Sequence, residues 1–193
     1  MRHPFKVLFI ALFLSLAAVS YSHAATTVVQ KPVSYGYKAA TSRTIDTVIV
    51  HATYNPALKT QTLAGAQTLW KHDNVSPHYA IDKAGVVYQL VAEKNIAWHA
   101  GVSSLPNGAT DMNTRSVGIE LIYTNKETPT AAQYKSLQSL IKDIEGRYNI
   151  KYVLGHDQIA PGRKVDPWNF DYAKISEVFT PATTVFEAPA TLS

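Results

Sequence analysis

Between Gly155 and Pro167 the chain reads Gly155-His156-Asp157-Gln158-Ile159-Ala160-Pro161-Gly162-Arg163-Lys164-Val165-Asp166-Pro167, a short stretch holding two potential metal ligands, a cation and a turn. His156 and Asp166 are too far apart in sequence to be neighbours on one helical face. Pro161-Gly162 between them is a turn signal that folds the chain back. Lys164 and Asp166 then stand two apart, and alternate residues of an extended segment point the same way. The stretch reads as half of a catalytic zinc site with a charged amine beside its carboxylate. Such a site takes three protein ligands and keeps a fourth position open. The chain has no cysteine, so the third ligand must be another His or a carboxylate. His51, at the end of the apolar run Thr47-Val48-Ile49-Val50, completes a set of His51, His156 and Asp166, and one Zn2+ per chain is expected. Alone, His51 would read as a hydrogen-bonded structural imidazole; the second segment reverses that preference.

Zinc held there would lower the pKa of water to about 7 and polarise a carbonyl oxygen, which is the chemistry of hydrolysis. Protons must also move from the attacking water to the leaving amine. Glu120 is the residue suited to that shuttle, because it interrupts the apolar run Val117-Gly118-Ile119-Glu120-Leu121-Ile122-Tyr123, where a carboxylate needs a partner or a task. The plainer alternative is a buried salt bridge, with Lys164 as its natural partner. As a catalytic group Lys164 would stabilise the oxyanion of a tetrahedral intermediate. Trp98-His99-Ala100-Gly101 offers a flat apolar ring, an imidazole and a flexible backbone. It suits a sugar or peptide cleft, and equally a core Trp with an incidental His. His78 reads as structural, and His72 as a cation at a helix C-terminus.

The elements that must position these residues follow from pattern. Thr47 to His51 is a β-branched run apolar on both faces, as in a covered central strand. Leu63, Ala66, Leu69 and Trp70 recur at helical spacing behind Thr60 and Thr62 as caps, predicting a helix to about His72. His78 to Ile81 and Val86 to Leu90 flank Asp82-Lys83-Ala84-Gly85 as a hairpin. Residues 99–116 form a long loop, and Val117 to Tyr123 a second covered strand. Thr128-Pro129 opens a helix with the stripe Tyr134, Leu137, Ile141, Ile144 and Tyr148, ending near Asn149. Tyr152-Val153-Leu154 is a strand that delivers His156, and a last helix is expected from about Phe170 to Phe179. The alternation gives an α/β fold.

Arg2 and Lys6 precede an apolar run from Val7 to Val19 and the small-x-small triplet Ser22-His23-Ala24, the grammar of a signal peptide over residues 1–24. The run is short for a membrane span, which needs roughly 18 or more apolar residues. An exported, periplasmic or secreted chain with no retained membrane anchor is expected, and the lack of cysteine excludes a lipoprotein. Residues 25–44 read as a leader, with ordered structure starting near Ile45; residues 45–179 form one domain, and the Pro-, Ala- and Thr-rich residues 180–193 a disordered tail. Without Arg2 and Lys6 the formal charge falls from +4 to +2. No Lys or Arg run marks a nucleic-acid partner; mild basicity suits anionic envelope polymers. A monomer is expected.

These residues resemble the zinc-dependent N-acetylmuramoyl-L-alanine amidases, the group that includes periplasmic and cytoplasmic bacterial amidases, amidase-type phage endolysins and animal peptidoglycan recognition proteins. The resemblance runs from about Ile45 to Tyr172 through Val48-Ile49-Val50-His51, Ser76-Pro77-His78-Tyr79, Ala97-Trp98-His99-Ala100-Gly101-Val102-Ser103, Asn113 with Ser116 to Leu121, and Pro161 to Pro167. It implies a mixed central β-sheet flanked by helices, zinc on His51, His156 and Asp166, acid/base work by Glu120, transition-state stabilisation by Lys164, and substrate contacts from Trp98, His99 and Asn113. It also implies peptidoglycan or muropeptides as partner and the amide between N-acetylmuramic acid and L-alanine as the bond cut. The competing expectation is a module of the same fold that binds peptidoglycan without cleaving it. The family pattern usually follows Asp-Pro with Gly, where this chain has Trp168; a bulky residue cannot take glycine's positive backbone angle cheaply, so a different path after Asp166 is expected. A protein in which these acids and histidines were only salt-bridge partners would hold no stoichiometric metal, so metal analysis of chelator-free protein is expected to return one zinc per chain.

Overall fold

The computed structural model describes residues 26–178; the expected signal segment, the tail and the far end of the last expected helix lie outside them. The strands are β1 (Val28–Gln30), β2 (Tyr37–Lys38), β3 (Thr47–Thr53), β4 (Tyr79–Ile81), β5 (Val87–Gln89), β6 (Ile96–Ala97), β7 (Ser116–Ile122) and β8 (Tyr152–Gly155). The helices are α1 (Leu63–His72), α2 (Met112–Arg115), α3 (Ala131–Glu145), α4 (His156–Ile159) and α5 (Ala173–Ser176). Six strands form one mixed sheet in the order β1-β5-β4-β7-β3-β8, and β2 pairs with β6 in a small second sheet. β3 runs parallel to both β7 and β8, and β4 parallel to β7 and antiparallel to β5.

β3 and β7 sit in the middle, and their near-continuous burial follows from cover on both faces. Val48, Val50, Ala52, Ile119 and Leu121 face Leu137, Leu140, Ile141 and Ile144 of α3 in the main core. Each such apolar side chain contributes on the order of 1.5–3 kcal/mol by leaving water. On the opposite face Ile49 packs with Ala100, Leu105, Met112 and Ile159. Ile122 and Ala80 pack there with Ala66 and Trp70 of α1. His51 and Glu120 alternate with the residues facing α3, so both project to this second face.

α1 starts where its cap signal stands: Thr62 Oγ1 accepts from Gly65 N at 3.1 Å. α3 starts two residues later than Thr128-Pro129 predicts. Thr130 is its N-cap, in a reciprocal box in which Gln133 N donates to Thr130 Oγ1 and Thr130 N to Gln133 Oε1, both at 3.1 Å. That pair satisfies two helix-end donors at once, which Thr128 has no Gln or Glu to match. α3 also ends earlier, at Glu145, and the last expected helix is a single turn, Ala173–Ser176.

The largest departure lies in the expected leader, where order was to begin near Ile45. β1 pairs parallel with β5 and covers the outer edge that β5 would otherwise expose. β2 pairs with β6, and the Arg43 guanidinium bonds the carbonyls of Asn95, at 2.6 Å, and Ser116. Strands of two or three residues are too short to show a period, so the sequence carries no pattern for them.

Asp46 ties the start of β3 to both neighbours. Its carboxylate accepts from Arg115 Nε at 3.0 Å and Thr47 Oγ1 at 2.8 Å, and its carbonyl accepts from Lys151 N at 2.7 Å. Burial acts to raise its pKa, but the hydrogen bonds from Arg115 and Thr47 outweigh burial and hold it below the usual value. A depressed carboxylate stabilises the fold above its unfolded pKa, and that contribution disappears as pH falls through the folded value. Asp46→Asn is expected to cost about 1–3 kcal/mol in denaturant unfolding at pH 7. The gap between variant and parent should shrink below roughly pH 4.

Candidate metal centre and cleft

The register of the sheet assembles the site. His51 of β3 lies directly opposite Glu120 of β7, and Thr53 follows His51 on the same face. Val50 pairs with Gly155 at the end of β8, so His156, the next residue and the first of α4, arrives beside His51. The chain then turns at Gly162, whose φ of +76° suits glycine, while Arg163 N and Lys164 N both donate to Ala160 O, at 3.1 and 3.0 Å. Asp157 N donates to Asp166 O at 2.8 Å and closes the loop. The fold-back read from Pro161-Gly162 thus brings Asp166 to His156.

Three donor atoms converge: His51 Nδ1 to His156 Nδ1 is 2.9 Å, His156 Nδ1 to Asp166 Oδ2 3.1 Å, and His51 Nδ1 to Asp166 Oδ2 3.5 Å. A tetrahedral ion with bonds of about 2.0–2.1 Å separates its ligands by roughly 3.3 Å, so the spacing and the donor set fit a small divalent cation. Among the described residues this is the group of His and acidic side chains arranged to hold a metal. Charge supports the fit. Burial, reinforced by the neighbouring His156, lowers the pKa of His51 to about 4, which leaves a neutral imidazole with a free lone pair at neutral pH. Burial works against the Asp166 charge, yet the close His156 and His51 side chains outweigh it and keep the carboxylate ionised.

Glu120 is 8% exposed, and its Oε2 accepts from Thr53 Oγ1 at 2.8 Å. Among the described residues it makes no ion pair, so the salt-bridge alternative with Lys164 does not describe the fold. Burial, and then the Asp166 charge, raise its pKa to about 8, while Lys164 and Thr53 act in the other direction. A cation among the three donors would also oppose that rise. Glu120 is therefore a carboxyl whose proton affinity lies near neutral pH, as proton shuttling needs.

The donors open into a cleft of about 340 Å³ that Trp98, Lys164, Trp168 and Tyr54 help to line. Trp98 lines the cleft. His99 touches the cleft but turns its ring inward, its Nδ1 2.9 Å from His51 Nε2 and its Nε2 3.3 Å from Ser116 Oγ. Asn113 is not among the residues that line the cleft: its Oδ1 accepts from His99 N at 3.0 Å and Ala100 N at 2.8 Å, so it holds the loop. Trp168 needs no positive backbone angle. That angle falls on Asn169, at φ 49°, whose Nδ2 donates to Asn125 O and Glu127 O. The Trp168 ring meets Tyr54 edge-on at 5.6 Å, and Tyr123 Oη donates to Trp168 O at 2.6 Å, fixing an aromatic wall. Thr53 and Tyr54 were missed in the sequence, although Thr53 carries a signal, the period of two that links it to His51.

Comparison with known proteins finds a family model described as N-acetylmuramoyl-L-alanine amidase that matches residues 41–169. The 1,6-anhydro-N-acetylmuramyl-L-alanine amidase AmpD of Citrobacter freundii is 39% identical over 115 residues, 58% of this chain and 61% of the relative. The chain thus spans about 61% of the length of that relative. Among solved structures, a selenomethionine derivative of AmpD superposes with a TM-score of 0.69 at 29% identity, covering 83% of this chain and 96% of the other. The Escherichia coli amidase AmiD, solved with anhydro-N-acetylmuramic acid-L-Ala-D-gamma-Glu-L-Lys, superposes with a TM-score of 0.62 at 29% identity, covering 75% of this chain and 62% of that one.

Asp166 Oδ2 lies among the three converging donor atoms and the Glu120 carboxylate does not. Asp166→Asn is expected to lower zinc affinity at least about tenfold in a chelator competition, as removing a charged donor should exceed the effect of outer-shell changes. Glu120→Gln is expected to leave that affinity within a few-fold. Equal loss in both variants would refute the division.

Proposed function

The chain belongs to the N-acetylmuramoyl-L-alanine amidase family, and we propose that it is a zinc-dependent hydrolase of the amide joining N-acetylmuramic acid to L-alanine of the stem peptide in peptidoglycan or its fragments. The observation that carries this reading is the convergence of His51 Nδ1, His156 Nδ1 and Asp166 Oδ2 beside a buried Glu120, which makes no ion pair among the described residues, at the floor of an aromatic cleft. The family and the muropeptide bound by the related AmiD support the substrate class. His51, His156 and Asp166 would hold one zinc, which when bound supplies Lewis acidity to polarise a carbonyl and lower the pKa of water to about 7.

The chain's own residues do the rest. Glu120, held by Thr53, takes a proton from the attacking water and returns it to the amide nitrogen as the carbon–nitrogen bond breaks. Lys164 stabilises the negative charge that develops on the carbonyl oxygen. Trp98 and Trp168 line the cleft with apolar surface suited to orienting saccharide or peptide and limiting water. The products are a free lactyl carboxylate and a stem peptide with a free L-alanine amine. A binding module without catalysis has no use for Glu120 and Lys164 at this position.

Among the described residues no helix is long and apolar enough to cross a membrane. Export to the periplasm or medium rests on the signal grammar of residues 1–24, which fits a substrate outside the cytoplasmic membrane. A monomer suffices, because one chain supplies all three donors.

The decisive experiment incubates the zinc-loaded protein with purified peptidoglycan and defined muropeptides and analyses the products. New muramic-acid carboxylates and free stem peptides are expected, with Glu120→Gln slower by about 10²–10⁴-fold. Binding without release would sink the enzyme.

A further inference from the structure

Each histidine of the donor cluster has a second ring nitrogen, and the stretch His99-Ala100 meets both. His51 Nε2 lies 2.9 Å from His99 Nδ1, and His156 Nε2 lies 3.1 Å from Ala100 O. The proton positions along the first contact follow from its far end. Ser116 Oγ donates its one proton to Met112 O, so toward His99 it can only accept. His99 Nε2, at 3.3 Å, must therefore carry the ring proton, and His99 Nδ1 must be the acceptor. It follows that His51 Nε2 is the donor and that the lone pair of His51 sits on Nδ1, facing His156 and Asp166. For His156 the carbonyl of Ala100 can only accept, which leaves its lone pair on Nδ1 as well.

The two orienting groups are themselves fixed. Asn113 Oδ1 accepts from the backbone nitrogens of both His99 and Ala100, and Arg163 Nη2 donates to Ala100 O at 2.8 Å. The His99 ring lies flat on Gly118 of β7. A Cβ there would fall 2.4 Å from its Cγ and 2.5 Å from its Nδ1, the atom that receives His51. Glycine in the middle of a covered strand is otherwise unfavourable, since it adds no packing. Its presence two residues before Glu120 makes room for the imidazole.

We propose that His99 is a positioning residue that sets the tautomer and ring orientation of His51, that Gly118 is the seat that admits it, and that Asn113 clamps the same loop so that Ala100 does the equivalent for His156. This inference rests on the metal-site reading above, and it reassigns His99 and Asn113 from substrate contact to metal-site support. Outer-shell partners of this kind are worth about 10–100-fold in metal affinity.

The test measures zinc affinity by chelator competition, metal-free melting temperature, and KM and kcat on a muropeptide. His99→Leu keeps bulk but has no acceptor, and it is expected to weaken zinc binding by roughly 10–100-fold with little change in the metal-free melting temperature. His99→Asn places an amide oxygen near the former Nδ1 and is expected to recover most of that loss. Gly118→Ala, which displaces the ring without altering it, is expected to weaken zinc binding as His99→Leu does. Two results would overturn the proposal: zinc affinity unchanged in His99→Leu and Gly118→Ala with a rise in KM alone, or equal loss in the Leu and Asn variants together with a lower metal-free melting temperature. Failure of the metal-site reading looks different, because the parent protein itself would then bind no stoichiometric zinc.

Discussion

Two imidazoles and a carboxylate lie side by side beneath the surface of this protein, and every other polar atom around them must find a partner for that burial to be tolerated. The rest of the structure follows from how this is done. His51 leans on His99, His156 on the carbonyl of Ala100, and Glu120 on Thr53. Each of these partners lies on the sheet face away from α3 or on the loop that covers it. The apolar core with α3 could be repacked without touching them. The opposite face could not, because its shape is set by hydrogen-bond direction as much as by volume.

The parallel pairing of β3 with β7 and β8 is the second half of the design. It places the ends of three strands together at the carboxyl side of the sheet, where open α/β sheets commonly bind ligands. The same register puts His51 and Glu120 opposite each other. His51 and Glu120 thus come from neighbouring strands, whose separation is held by backbone hydrogen bonds and does not depend on flexible loops. Lys164 and Asp166 come instead from a turn, pinned by Asp157 N to Asp166 O and by two donors on Ala160 O.

The segment from Trp98 to Arg115, which ends in α2, meets both the cleft and the donor cluster. Trp98 faces the cleft, while His99 and Ala100 meet the outer ring nitrogens of His51 and His156 and Asn113 and Arg163 hold their backbone. On the far wall, Trp168 is braced by Tyr54 and Tyr123. Change on the cleft-facing aromatic residues can therefore reshape the cleft with little cost to the three donors.

The grouping of His51, His156 and Asp166 beside Glu120, and the strands and helix around them, were legible in the chain itself. Period-two and period-3.6 patterns and the unusual polar residues within apolar runs are local, and local patterns survive in one dimension. The short strands β1 and β2, the cap of α3 at Thr130, the inward turn of His99 and Asn113, and the left-handed angle at Asn169 were decided only by tertiary structure. Each depends on a partner distant in sequence or on the direction of a single hydrogen bond, and neither leaves a periodic trace. Residue types and spacing could nominate the three donors; the direction of the His51 ring toward His156 and Asp166 depends on a chain of contacts through His99 and Ser116 to Met112 O.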